Sequence, residues 1–112
     1  MSGLFDSFTL KQITLRNRIA ASPMCQYQAK DGLITDWHLP HYAALGRGGV
    51  SLVVVEATAV SPEGRITPGD LGLWSDAHTE GAAAIANAVF HATGRRIRSL
   101  PITLEKVNSR RA

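Results

Sequence analysis

Strands alternating with helices predict an α/β fold built on a parallel sheet. Three features of the 112-residue chain carry that reading. Residues 50–55, Val-Ser-Leu-Val-Val-Val, form a near-continuous β-branched run, the pattern of a parallel strand buried on both faces. Glycine-terminated helical segments stand on either side of the loop that follows it. A shorter apolar run, Ile19-Ala20-Ala21, stops at Pro23, which has no N–H to give a ladder. Directly after it come a thioether, a thiol, an amide and a phenol, at the carboxyl end of a strand, where α/β folds place ligands.

The elements follow in order. Phe8-Thr9-Leu10 and Ile13-Thr14-Leu15 are β-prone triplets separated by Lys11-Gln12, a gap that predicts a tight hairpin. Arg16-Asn17-Arg18 leads into the Ile19 strand, and Lys30-Asp31-Gly32 is a turn. Thr35 or Asp36 can cap a helix over residues 37–45, with Trp37, His41 and Leu45 on one face and Gly46, Gly48 and Gly49 as its stop. The 50–55 strand ends in Glu56-Ala57-Thr58-Ala59. Residues 61–74, rich in Pro and Gly, read as a long loop of the kind that usually serves function. Ser75 or Asp76 caps an Ala-rich helix through residue 92, with Gly94 as its end.

Composition bounds the function. Apolar content of 45% and charged content of 19% suit one globular domain. The single Cys25 allows no internal disulfide and fits a reducing, cytoplasmic setting. No stretch approaches the roughly 18 apolar residues of a membrane span, and no secretory leader is expected. The basic pI of about 9.5 belongs to one end of the chain. Residues 1–94 carry six basic and eight acidic side chains, whereas residues 95–112 carry six basic side chains and Glu105 alone. Two units are therefore expected, 1–94 and an atypical basic tail, 95–112, that is poorly ordered. The tail supports a second reading, a non-catalytic fragment binding nucleic acid or an acidic partner, but it lacks aromatic interleaving and any nucleic-acid motif.

Six ordered motifs carry a family likeness: Leu15-Arg16-Asn17-Arg18-Ile19, Ser22-Pro23-Met24-Cys25-Gln26-Tyr27, Asp36-Trp37-His38 with His41-Tyr42, Val55-Glu56-Ala57-Thr58-Ala59-Val60, Pro62-Glu63-Gly64-Arg65-Ile66 and Gly72-Leu73-Trp74-Ser75-Asp76. Over residues 4–94 the chain resembles the Old Yellow Enzyme family of FMN-dependent NAD(P)H oxidoreductases, in its xenobiotic reductase branch. The resemblance implies the N-terminal part of a (β/α)₈ TIM barrel, truncated here, with the hairpin capping the barrel bottom. It implies FMN at the carboxyl ends of the strands, NADPH or NADH as reductant and a small activated alkene as substrate. It also implies a homo-oligomer for the full-length form.

By the same resemblance, Ser22, Pro23, Met24 and Cys25 contact FMN, Cys25 tunes its potential, Tyr27 binds the substrate's activating group, and Ala57 lets the flavin approach the second strand. The bland alternatives are a buried thiol packing as a small hydrophobe and a loop tyrosine. His38 and His41 read as packing residues, because two histidines without a third ligand make a weak metal site. Glu56 reads as a hydrogen-bonded structural carboxylate, and Arg65 and Trp74 as loop packing. A barrel needs roughly 250 residues. The family's third-strand glutamine, its substrate-binding histidines and its phosphate site have no match here, so the isolated chain is expected to be inactive. Codons for Ile102-Thr103-Leu104-Glu105, read one base earlier, can spell His-His-Ala-Gly, which makes a frameshift one origin for the tail.

Overall fold

The computed structural model describes residues 3–93. Expectations about Gly94 and the 95–112 tail, including the nucleic-acid reading, lie outside that span. The elements are β1 (Phe8–Leu10), β2 (Ile13–Leu15), β3 (Ala20–Ala21), α1 (His38–Arg47), β4 (Leu52–Val53), β5 (Thr58–Ala59), a 3₁₀ turn (Pro62–Gly64), β6 (Leu71–Gly72) and α2 (Asp76–Thr93). The expected α/β class holds. Among the described residues the strands form three two-stranded sheets and no closed barrel.

The hairpin forms where the β-prone triplets place it. Phe8 pairs with Leu15 and Leu10 with Ile13, antiparallel, and Lys11 takes the left-handed conformation at φ 54° that the two-residue turn demands. Thr9 and Thr14 share a hydroxyl contact of 3.0 Å across the pair. Arg18 ties the hairpin to the sheet. Its N–H donates to the Leu4 carbonyl at 2.9 Å, its guanidinium donates to the Ser7 carbonyl, and it lies 5.1 Å from the Phe8 ring centroid.

β3 and β4 are parallel, with Ala20 beside Leu52 and Ala21 beside Val53. The Asn17 side chain sets this register. Its amide donates to the Gly49 carbonyl at 2.8 Å, and its carbonyl oxygen accepts the Ile19 N–H at 3.0 Å. Ser51 adds hydroxyl bonds back to the Asn17 and Ile19 carbonyls. The doubly buried strand expected over residues 50–55 is not found. Only Leu52 and Val53 enter the ladder, and Val54 and Val55 remain 40% and 39% exposed. The physical reason is that β4 has one strand neighbour among the described residues. Its other edge and one face lack the cover that a β-branched run is built to meet. The run at residues 19–21 is likewise half-buried, with Ala21 inside and Ala20 outside.

Helix α1 begins one residue later than its periodicity suggested. Trp37 is the N-cap residue, without a side-chain cap bond, and the deepest positions are His38, Tyr42 and Gly46. The inward face is thus displaced by one residue from Trp37, His41 and Leu45. Gly46 lies inside the helix; Gly48 is the C-cap, and Gly49 at φ 102° supplies the left-handed stop. Helices α1 and α2 pack together over a core of Ala29, Tyr42, Leu71 and Ile85, flanked by Ile34, Leu39, Leu45, Val53 and Val89. At the start of α2 the Ser75 carbonyl accepts the Thr79 N–H, and the Ser75 hydroxyl lies 2.7 Å from His78 Nδ1.

The expected loop at 61–74 contains more order than its composition implied. β6 returns to pair in parallel with β5, Thr58 beside Leu71 and Ala59 beside Gly72. Asp70 makes the turn before it. One carboxylate oxygen accepts the N–H groups of Ile66 and Thr67 at 2.7 and 3.2 Å, and the other accepts the Thr67 hydroxyl at 2.9 Å. Burial pushes the Asp70 carboxyl upward. The Thr67 hydroxyl, the two amides and the nearby Arg65 charge outweigh it and hold the pKa below the ordinary carboxylate value. A depressed folded-state pKa contributes stability above the unfolded-state value and loses it as pH falls through the folded one. In acid denaturation of Asp70→Asn, the stability loss below the ordinary carboxylate range should therefore be shallower than in the parent. At pH 7 the same substitution should cost about 1–3 kcal/mol in urea unfolding, because two amides lose their charged acceptor.

Candidate functional site at the parallel strand ends

Parallel pairing sends the segments after β3 and β4 out of the same end of the sheet. The Val54 N–H donates to the Ala21 carbonyl at 3.1 Å, the last backbone link before the two chains separate. Beyond it, Ser22, Pro23 and Met24 are exposed and Cys25 is half-buried on one side, and Ala57 is exposed on the other. The structure therefore gathers the five residues read as flavin contacts at one strand end. No hydrogen bond within the described residues engages the backbone N–H of Met24 or Cys25. Two free donors, a soft sulfur and a small residue opposite suit the polar edge and flat face of a heteroaromatic ring, so the donor set fits FMN.

Two devices that the sequence reading missed hold this segment. Gln26 is the first. Its amide donates to the Met24 carbonyl at 2.9 Å, and its carbonyl oxygen accepts the Trp37 indole N–H at 2.9 Å. The segment is thus clamped to the start of α1 by a tryptophan that is itself 51% exposed. The signal lay in the sequence as an amide and an indole at opposite ends of a turn-rich connection, but nothing there fixed their approach. The second device is close packing between loops. Tyr27 is exposed and adopts φ 57°, a left-handed conformation uncommon for a bulky residue. Gly69 lies against it: a methyl group on Gly69 would sit 2.8 Å from the Tyr27 carbonyl oxygen. The Ala29 N–H donates to the Gly69 carbonyl at 3.0 Å next door.

Beneath the strand ends lies a buried polar cluster. Tyr42, 1% exposed, donates its hydroxyl proton to Glu56 Oε2 at 2.6 Å and accepts the Glu56 N–H at 3.1 Å. Glu56 is accordingly the hydrogen-bonded carboxylate expected of it. His38 Nδ1 accepts the Thr35 N–H at 3.0 Å, and His38 Nε2 stands 3.8 Å from Glu56 Oε1. Burial, the Glu56 hydrogen bond and the Glu56 and Cys25 charges push the Tyr42 phenol well above its ordinary pKa, so it stays protonated. His41 packs edge-on against the Tyr42 ring at 4.8 Å. Among the described residues no three His, Cys, Asp or Glu side chains are placed to hold a metal ion. No helix among them is long and apolar enough to cross a membrane.

Arg65 and Trp74 pack as loop residues, the guanidinium 5.4 Å from the indole centroid, and Trp74 tilts over His78 at 4.2 Å. His78 Nε2 bonds the Asp31 carbonyl at 2.8 Å, pinning the 30–33 turn to α2. Gly69→Ala should destabilise the chain by about 1–3 kcal/mol, the usual cost of forcing atoms into packed space. In heteronuclear NMR its largest shifts should fall on residues 26–29. Shifts confined to residues 67–71 would show that Tyr27 is not held by this contact.

Comparison with known proteins bears on the family and the fold. The model of the NADH:flavin oxidoreductase / NADH oxidase family matches residues 3–98. NADPH dehydrogenase of Bacillus subtilis is 51% identical over 88 residues, 77% of this chain and 26% of that protein. NADPH dehydrogenase of Halalkalibacterium halodurans is 48% identical over 95 residues, 83% of this chain and 28% of that protein. Among solved structures, morphinone reductase in complex with tetrahydroNAD superposes with a TM-score of 0.75 at 31% identity, over 88% of this chain and 26% of that one. The Old Yellow Enzyme homologue from Zymomonas mobilis gives 0.72 at 34% identity, over 81% and 25%. The chain spans about a quarter of the length of these relatives. With the matched region covering most of its residues, the chain belongs to the NADH:flavin oxidoreductase / NADH oxidase family.

Proposed function

We propose that residues 3–93 form the first wall of an FMN site in an NADPH-dependent oxidoreductase that reduces activated C=C bonds. The observation that carries this reading is the gathering of Ser22, Pro23, Met24, Cys25 and Ala57 at the carboxyl ends of two adjacent parallel strands. The family match and the NADPH dehydrogenase relatives support it. When bound, FMN supplies hydride transfer from NADPH (or NADH) to the β-carbon of an enone-like alkene. The chain's own contribution is orientation. The Met24 and Cys25 amides offer donors to the ring edge, Ala57 admits the ring to close range, and the Cys25 sulfur adjusts its potential. The exposed Tyr27 phenol, aimed by its left-handed backbone, offers a hydrogen bond to the substrate's activating group. Hairpin β1–β2 caps the bottom of the barrel, and the complete form is a homo-oligomer acting in the cytoplasm.

In this reading the flavin phosphate and the substrate carbonyl are held by barrel segments beyond the matched quarter, so the 112-residue chain does not turn over alone. Mixed with FMN, NADPH and cyclohexenone, it should give no enone-dependent NADPH oxidation. Residues 3–93 joined to the remaining three quarters of the Bacillus subtilis NADPH dehydrogenase should purify yellow and oxidise NADPH when the enone is added. A colourless chimera that takes up no FMN would contradict the proposal. Cys25→Ser in that chimera should shift the flavin midpoint potential and retain turnover, and complete loss of turnover with FMN still bound would show that Cys25 is more than a tuning residue.

A further inference from the structure

The cluster of His38, Tyr42 and Glu56 lies at the floor of the site, and none of its members has a part in the proposed chemistry. Its protons can be placed from hydrogen-bond direction alone. The Glu56 N–H points into the Tyr42 oxygen at 3.1 Å, so the phenolic proton goes the other way, to Glu56 Oε2. At 2.6 Å that bond has the length of an O–H donor on an ionised oxygen. The Thr35 N–H points into His38 Nδ1, so the imidazole proton is on Nε2, which faces Glu56 Oε1. Each Glu56 oxygen thus faces a donor. A proton on Oε1 would meet the Nε2–H head-on, and a second proton on the imidazole would meet the Thr35 N–H.

The arrangement therefore calls for a carboxylate between a neutral phenol and a neutral imidazole. His38 is 0% and Glu56 2% exposed, and Oε1 and Nε2 have no hydrogen-bond partner. Among the described residues, His38 is the only group capable of positive charge within 4.0 Å of the carboxylate. A buried charge without a cation is costly and projects a strong field, because little water screens it. Glu56 also immediately precedes Ala57, and it lies two residues beyond the Val54 N–H that bonds the Ala21 carbonyl, with Cys25 four residues beyond Ala21 on the facing segment.

We propose that Glu56 is an electrostatic positioning residue of the strand-end site: its uncompensated carboxylate holds the floor at negative potential, felt at Cys25 on one wall and at Ala57 on the other. Its consequence for catalysis rests on the FMN reading. A negative floor disfavours the electron-rich reduced ring, so Glu56 would act on the flavin without touching it.

The charge itself is measurable without a flavin. Cys25 in the 112-residue chain is modified with a cationic and an anionic methanethiosulfonate, trimethylammonioethyl and sulfonatoethyl, and the two rates are divided. Both reagents consume the same thiolate, so its abundance cancels and the ratio reports the local potential. Glu56→Gln should lower the cation-to-anion ratio on the order of fivefold to tenfold, as removal of one poorly screened charge requires. Tyr42→Phe, which keeps the charge, should leave the ratio within about twofold of the parent. An unchanged ratio in Glu56→Gln would overturn the proposal. Should that variant fail to fold, carboxyl ¹³C NMR of the parent decides: an ionised Glu56 at pH 7 supports the proposal and a protonated one overturns it. The chimera's colour tests the flavin reading separately, so failure of either is recognised on its own.

Discussion

The reciprocal pair of hydrogen bonds between Tyr42 and Glu56 is the constraint on which the described structure turns. One hydroxyl receives the backbone N–H of Glu56, three residues beyond β4, and gives its proton to the same residue's side chain. A helix side chain is thereby fastened to the segment after a strand at two points, with both residues buried, Tyr42 at 1% and Glu56 at 2% exposure. Satisfying both bonds requires that α1 turn His38, Tyr42 and Gly46 inward. It also requires that the chain after Val53 stay close to the helix instead of continuing along an extended ladder. The one-residue displacement of the helical face is a result of that link.

From that link the geometry of the site follows outward. Glu56 fixes where Ala57 begins. The β3–β4 register, set by Asn17, fixes where Ser22 begins, and Gln26 and Gly69 hold the turn between them. The loop at 61–74 serves as a brace: Asp70 folds it, β6 stitches it to β5, and its glycine carbonyl receives the Ala29 amide. Flexible connections would not keep two strand ends in a fixed relation to one another. A site assembled on short, cross-braced segments can do so.

What the sequence conveyed was whatever depends on local pattern. Alternating β-prone triplets placed the hairpin, glycines placed the end of α1, and Pro23 after a short apolar run placed the strand end that the site occupies. The order and spacing of six motifs carried the family likeness. What it could not convey was whatever depends on a distant partner. Five β-branched or apolar positions at 50–55 describe a strand with neighbours on both sides, and its length in the structure is set by the one neighbour it has. Leu71-Gly72 is too short and too rich in glycine to stand out from a Pro/Gly loop, and only its pairing with Thr58-Ala59 makes it a strand. Helical spacing fits both the Trp37 and the His38 face, and the choice between them was made by Glu56, fourteen residues from Tyr42 along the chain.

The coupling between Tyr42 and Glu56 decides whether α1 holds the chain beyond β4 in place. A double-mutant cycle of Tyr42→Phe, Glu56→Gln and the pair, read by urea unfolding, measures it directly. A buried, charge-assisted bond of this kind predicts a coupling of about 1.5–3 kcal/mol, the double variant being less destabilised than the two single variants together. Additivity within about 0.5 kcal/mol would mean that the two side chains act independently, and that the chain beyond β4 is held by something other than the helix face beneath it.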